Sequence, residues 1–293
     1  MLVPTEIVEL RSANLMVWRA WEQIHVLESN IARWMNSGGH WFDKHYDGDG
    51  TLRFTLRFGP LPPEWSLLIG ESLHSMRASL DHLAYGLAAL EQGRPLTEDE
   101  GRKTEFPIYG PEPLSPAMQQ RKIGLLSEGL QDSIRKLQPH GNGDYRRTKL
   151  WLLHALDNRN KHRSIEPQLM AFSGVMPAFA LMGRVSMVTP RSPLHDGLEV
   201  FSGTPADPEQ RHSLVASMDV VFPWDDPLTE GTVAGERVVT VLFGLHQWVR
   251  LIHQQLIGQA GYMVPFPESN APQDAHDADQ RAWSESDPSS GAQ

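Results

Sequence analysis

Apolar residues recur every three or four positions from residue 5 to residue 35. Ile7, Leu10, Val17, Trp21, Ile24 and Ile31 share one stripe with Asn14 and Glu28. That period predicts a long helix with one buried face, with Thr5 as N-cap and Gly38-Gly39 as the stop. The period then switches to two. Leu52, Phe54, Leu56 and Phe58 alternate with Arg53, Thr55 and Arg57, and "DGDG" supplies a hairpin turn. From Pro62-Pro63 the helical period returns. Ile69, Leu73, Met76, Leu80, Leu83, Leu87 and Leu90 form an unbroken seam over about 63–91, and Gly93 ends it.

Residues 94–113 are rich in Pro and Gly and predict a loop containing "EFPIY". Ser115 is placed to cap a third helix running to about Leu137, ended by Pro139. Asp144 is placed to cap a fourth, from about 145 to 162. Residues 168–222 hold short β-rich runs ("AFALMGRVSMV", "LEVFSG", "SLVASMDVVF") broken by Pro, Gly, Asp and Ser. A last helix is predicted over about 232–258. The fold class expected is therefore α+β: mainly a helical bundle, with a small antiparallel sheet and an early β-hairpin. The hairpin and the 168–222 strands are expected to share one sheet against the bundle. The domain expectation is one integrated unit over 1–264 with a β insertion at 168–222. Residues 265–293 are expected to form a disordered acidic tail.

Composition adjusts this picture at three points. Hydrophobic residues make up 40% of 293, enough for a sizeable core. There are no cysteines, which excludes disulfide staples, thiolate metal sites and a cysteine nucleophile. The formal net charge is -10, but about half of it falls in residues 264–293, with six acids and only Arg281 as base. A mildly acidic body argues against duplex binding through a broad basic face, and leaves room for a local phosphate site. The N-terminal stretch lacks a basic region followed by an apolar one, and no apolar run reaches membrane-spanning length. A cytoplasmic protein with no membrane partner is the expectation.

Several common sites are absent: no G-x-S-x-G, no G-x-x-x-x-G-K-[ST] and no G-x-G-x-x-G. "HYDGDGTL" approaches a calcium loop, but His45 and Leu56 stand where the loop needs acidic ligands, so a hairpin is expected there. His74/His82 and His154/His162 are pairs eight residues apart, about 80° around a helix, and His246/His253 share a third helix. None has the i,i+4 spacing of a chelating pair, so no metal or other cofactor is expected.

The polar chemistry concentrates in two helices. On the second, Arg77 and Asp81 are i,i+4 and share a face with His74. On the fourth, His154, Asp157, Asn158 and Lys161 share a face beside Leu150 and Leu153. If the faces meet, these residues form one partly buried polar cluster, and Arg77, Asp81, Asp157 and His162 are expected to lie in it. Charges held in such a seam need partners and are often functional. The helix C-terminus alone accounts for the cations Arg159, Lys161 and Arg163.

"LHSMRASLDHLAYGLA" and "LLHALDNRNKHRS", joined by "FPIY" and "LQPHG", resemble a set of uncharacterised bacterial and phage-associated proteins. Those proteins carry L-R-x-x-L-D-H-L and N-x-x-K-H-R helical segments, and the resemblance covers roughly residues 65–165. The helical part also looks similar to the HEPN superfamily, whose members include metal-independent ribonucleases of toxins and defence systems. Their active motif is Arg-x4–6-His, with histidine as acid/base and arginine on the phosphate. The motif occurs here as Arg77…His82 and Arg147…His154, and also as Arg19…His25, Arg33…His40 and Arg135…His140.

The resemblance implies a HEPN-like binding or interaction module, associated with toxin–antitoxin or phage defence. Its binding residues would be Arg77, Asp81, His82, His154, Asp157, Asn158, Lys161, His162 and Arg163. The partners it implies are RNA, a nucleotide or another phosphate-bearing ligand, and a partner protein; the long apolar helices also suit a homodimer. The alternative is a metal-independent ribonuclease with His82 or His154 as acid/base and Arg77 or Arg147 on the phosphate.

Overall fold

The computed structural model describes residues 8–141, 143–177, 181–189, 191–209 and 211–262. The Thr5 cap and the 265–293 tail lie outside them. The chain runs α1 (Val8–Asn36), β1 (His40–Tyr46), β2 (Leu52–Phe58), α2 (Pro63–Gln92), α3 (Glu98–Lys103), α4 (Pro116–Ile123), α5 (Glu128–Lys136) and α6 (Lys149–His162). It continues with β3 (Gln168–Pro177), β4 (Leu181–Met187), β5 (Ser192–Leu194), β6 (Glu199–Pro205), β7 (Leu214–Val221) and α7 (Val238–Gln259). The architecture is mixed α+β with antiparallel sheets. Among the described residues no helix is long and apolar enough to cross a membrane.

The bundle is organised around α2, which packs on α1, α6 and α7. Its apolar seam is buried as the period predicts, from Trp65 through Ile69, Leu73, Met76, Leu80 and Leu83 to Leu87. Pro63 opens the helix at a position that needs no N–H. Gly93 closes it in the left-handed conformation, φ 63°, where a side chain would be strained. Gly86 has a different task. A Cβ there would lie 2.4 Å from the Glu9 carbonyl oxygen, so only glycine lets the α1 backbone come this close. The helix α7 closes the bundle with Leu242, Val249, Ile252 and Leu256 inward. His246 Nε2 lies 3.2 Å from the Val17 carbonyl of α1.

The early hairpin forms as expected. Asp47, in the turn, accepts from Arg53 Nε at 2.7 Å, and Asp49 Oδ1 accepts the Thr51 N–H at 2.9 Å. Those carboxylates hold the turn, and among the described residues no group of three metal-ligating side chains occurs.

The sheet differs from the expectation. The hairpin joins β6 and β4 in a four-stranded sheet, order β1-β2-β6-β4, while β5, β3 and β7 form a second, three-stranded sheet. Alternation marks a strand but carries no information about its distant partner.

Helix bounds also move at four places. Residues 97–104, expected as loop, hold α3, because Thr97 and Glu100 form a reciprocal capping box. The expected third helix is two, broken after Gly124. The fourth starts later than expected: Asp144 caps a short 3-10 turn at 145–147, and Thr148 caps α6 by accepting the Trp151 N–H. Likewise α7 begins at Val238, because 226–235 is spent in turns that bond back to Thr229 and Phe222.

Two expected outcomes follow from this packing. Gly86→Ala pushes α1 off α2 and lowers stability by about 1–3 kcal/mol in urea unfolding. Gly244→Ala on α7 meets nothing within 4 Å; it raises stability by about 0.5–1 kcal/mol through helix propensity.

A third outcome concerns pH. Burial pushes His246 down to about 4 and His253 down to about 3. Above the ordinary value of about 6.5 both histidines are neutral folded or unfolded, and they contribute nothing to the pH dependence. Below it the unfolded chain binds protons that the fold rejects, so stability falls as pH drops from 6.5 toward 4. The slope is about 1.4 kcal/mol per pH unit for each histidine. His253→Leu should flatten the pH dependence of the urea midpoint over that range, whatever it does to stability at pH 7.

Candidate functional site

The polar faces of α2 and α6 meet, and two features make that contact close. Gly70 on α2 sits under the Asn160 side chain of α6; a Cβ at 70 would lie 2.3 Å from Asn160 Nδ2. Leu150, Leu153 and Leu156 are buried beside this contact. The seam therefore has an apolar floor with polar groups along one edge.

Asp157 is the most enclosed of those groups, with 1% exposure. Its Oδ1 lies 3.3 Å from His74 Nδ1 on α2, and its Oδ2 lies 2.7 Å from Lys161 Nζ one turn along α6. Both partners reach in from solvent; Lys161 is an ion-pair contact at Oδ2 without hydrogen-bond geometry, and His74 contacts Oδ1. One turn up α2, Arg77 Nη1 donates to Asp81 Oδ1 at 2.7 Å, and Nη2 donates to the Phe106 carbonyl at 3.0 Å. Asp81 Oδ1 in turn accepts the Phe106 N–H at 3.0 Å. The "EFPIY" loop is thus clamped to α2 through both polar groups of one backbone residue. Lys122, on α4, pairs with Glu105 of the same loop.

His154 sits among these charges. Its Nε2 is 2.9 Å from Asn158 Nδ2, and its Nδ1 is buried with no hydrogen-bond partner among the described residues. Burial lowers its pKa below the ordinary 6.5; the positive Arg77, Lys161 and Lys122 push the same way, and Asp157 opposes them. His154 is therefore neutral at pH 7. Lys122 is itself pushed down by burial and by Arg77, with Asp81 opposing.

Arg77, Asp81, His154, Asp157, Asn158 and Lys161 thus line one seam, together with His74. Other candidates are elsewhere. His82 turns to α1, its Nδ1 3.0 Å from Ser12 Oγ. Arg147 is exposed and pairs with Asp144 at 3.5 Å. His162 is exposed at the end of α6, about 140° around the helix from Asp157. Arg163 is the exposed C-cap and lines a polar cleft with Arg159, which pairs with Asp226 at 2.8 Å. So Arg159 and Lys161 each have a carboxylate partner beyond the helix-end carbonyls.

Sequence reasoning missed Lys122, Glu105 and the Phe106 peptide as members of the seam. No local pattern marks them, because they arrive from a loop and a short helix. Compared with protein-family models, with curated proteins and with solved structures, the chain has no match.

The asymmetry at Asp157 is testable. Lys161→Met leaves a buried carboxylate facing only His74 and should cost about 1–3 kcal/mol. Asp157→Asn leaves Lys161 and His74, both largely exposed, and should cost less. In the double variant the Lys161→Met penalty should shrink. A double-mutant cycle in urea reads the coupling, and additive losses would show that the pair does not hold the seam.

Proposed function

We propose that this chain is a HEPN-like helical binding module that takes a phosphate-bearing ligand, RNA or a nucleotide, at the α2–α6 seam. We place it with toxin–antitoxin or phage-defence accessories on the resemblance of its two helical motifs. One observation carries the binding reading: a neutral His154 with an unpartnered buried Nδ1, within electrostatic reach of Arg77, Lys122 and Lys161. A neutral imidazole donor among three cations is suited to an anionic oxygen, and buried polar atoms without partners call for one. In support of a bundle, α2 packs against α1, α6 and α7.

A second reading shares the same atoms. A metal-independent ribonuclease needs a histidine near neutrality and an arginine on the phosphate. Within the string Arg77…His82 the two side chains diverge, since five residues turn about 140° around a helix. Arg147 is exposed and pairs with Asp144 instead. The pairing that favours this reading crosses the helices: Arg77 with His154.

Titration calorimetry with a 5′-phosphorylated single-stranded RNA and with inorganic phosphate tests the first reading. Binding should weaken about tenfold in Lys122→Ala and in His154→Ala, and should weaken with added salt. Affinity unchanged in both variants overturns it. Incubation of the RNA with protein in EDTA tests the second: cleavage lost in His154→Ala but kept in His82→Ala supports it, and intact RNA with the wild type removes it.

A further inference from the structure

On the other side of α2 lies a cavity of about 540 Å³, between α1, α2 and the segment leading to and from α3. This volume falls in the range of small-molecule sites. Its polar wall is Glu9, Ser12, Asp81 and His82, and its less polar wall includes Tyr85 and Pro95. Gly86 shapes it, because the missing Cβ seats the Glu9 backbone directly on α2. That brings Ser12, one turn further along α1, to 3.0 Å from His82 Nδ1. Gly101 of α3 backs the Tyr85 ring; a Cβ there would lie 3.0 Å from the ring edge. The walls are therefore built by close backbone approaches rather than left over between loosely packed elements.

We propose that this cavity binds a small organic cation, a primary ammonium on an apolar body about the size of an aromatic ring. Charge and shape together select this ligand class. The charged residues lining the cavity are both carboxylates, Glu9 and Asp81; no lysine or arginine lines it among the described residues. Asp81 is already neutralised by Arg77 at 2.7 Å, through Oδ1. Glu9 makes no ion pair among the described residues. One negative charge thus remains at the cavity wall, and a monocation balances it. An anion would be repelled, and a neutral ligand would leave Glu9 partly desolvated without a partner. The Ser12–His82 pair offers a hydrogen-bond acceptor for the ammonium protons. The Tyr85 ring, held by Gly101, adds a cation–π surface, and Pro95 takes the apolar body. The cavity shares Asp81 with the phosphate seam, while Glu9, Ser12, His82 and Tyr85 belong to the cavity alone, so variants at Glu9 or Tyr85 and at His154 test the two readings separately.

Titration calorimetry on the full chain tests this, with 2-phenylethylammonium chloride as the probe and 2-phenylethanol as its neutral counterpart. The ammonium should bind and the alcohol should bind at least about tenfold more weakly, the worth of one charged hydrogen bond. Glu9→Gln should weaken the ammonium about tenfold, and Tyr85→Leu should weaken it as well. His154→Ala, in the seam, should leave it unchanged. Glu9 is on the surface side of α1, and superimposable thermal melts for wild type and Glu9→Gln keep the comparison fair. Equal affinity for the alcohol, no effect of Glu9→Gln, or no heat with the ammonium at millimolar concentration would each overturn the proposal.

Discussion

The close approach of three other helices to α2 is the constraint on which the rest of the structure depends. A helix buried on one side carries one apolar stripe. A helix wrapped by α1, α6 and α7 needs apolar or small residues nearly all the way round. That is what the sequence of α2 provides. Large residues fill the seam, and Gly70, Ser72, Ser75, Ser79, Ala84, Gly86, Ala88 and Ala89 are buried between them. Each glycine costs the helix about 1 kcal/mol relative to alanine. The cost is offset by the backbone and side-chain contacts that the missing Cβ allows. The buried serines remain compatible with a dry interior because their hydroxyls have partners. Ser72 and Ser79 donate to the Ile69 and Met76 carbonyls, and Ser75 donates to Gln23 Oε1 on α1.

This constraint explains what could be read from the sequence. The seam from Ile69 to Leu90, the long first helix and the hairpin at "DGDG" are local patterns whose period survives any tertiary context. Their elements appear within a few residues of the expected bounds. The split into two sheets was not legible, because β2 pairs with β6 and β3 with β7 across long stretches of chain. The helix α3 was legible in principle: "TEDE" is a capping box, outweighed by the Pro and Gly around it. The break between α4 and α5 falls at residues 124–127, with Gly124 as C-cap of one helix and Ser127 as N-cap of the next. At the site, the faces of α2 and α6 were legible because i,i+3 and i,i+4 spacing fixes which side chains share a side. Lys122 and the Phe106 peptide were not, because a loop's destination is set by tertiary contacts.

The seam also shows why α6 sits where it does. Its buried face holds a carboxylate as well as leucines. Apolar contact alone would tolerate a slide or rotation of α6 along α2. A buried Asp157 facing His74 across the helices restricts the register, while Lys161, on α6 itself, only pairs the carboxylate. Asn160 over Gly70 narrows it further, since the amide fits only where the Cβ is missing. Arg159, bonded to Asp226 at 2.8 Å, fastens the end of the same helix to the turns that precede α7.

The string "RASLDH" condenses the argument. Its polar residues are close in sequence, and on a helix that closeness scatters them over different faces. Arg77 reaches the "EFPIY" loop and the seam. His82, five residues on, reaches Ser12 on α1 and the cavity. Asp81 stands between them: its Oδ1 holds Arg77 and the Phe106 N–H, and the same side chain lines the cavity. A spacing that looks like one active site is thus divided by helical geometry between two sides of α2. The histidine within electrostatic reach of Arg77 at the seam, His154, comes from a different helix, 77 residues further along the chain. Histidine and arginine spacing along a helix therefore specifies faces, and only the packing of a second helix decides which residues meet.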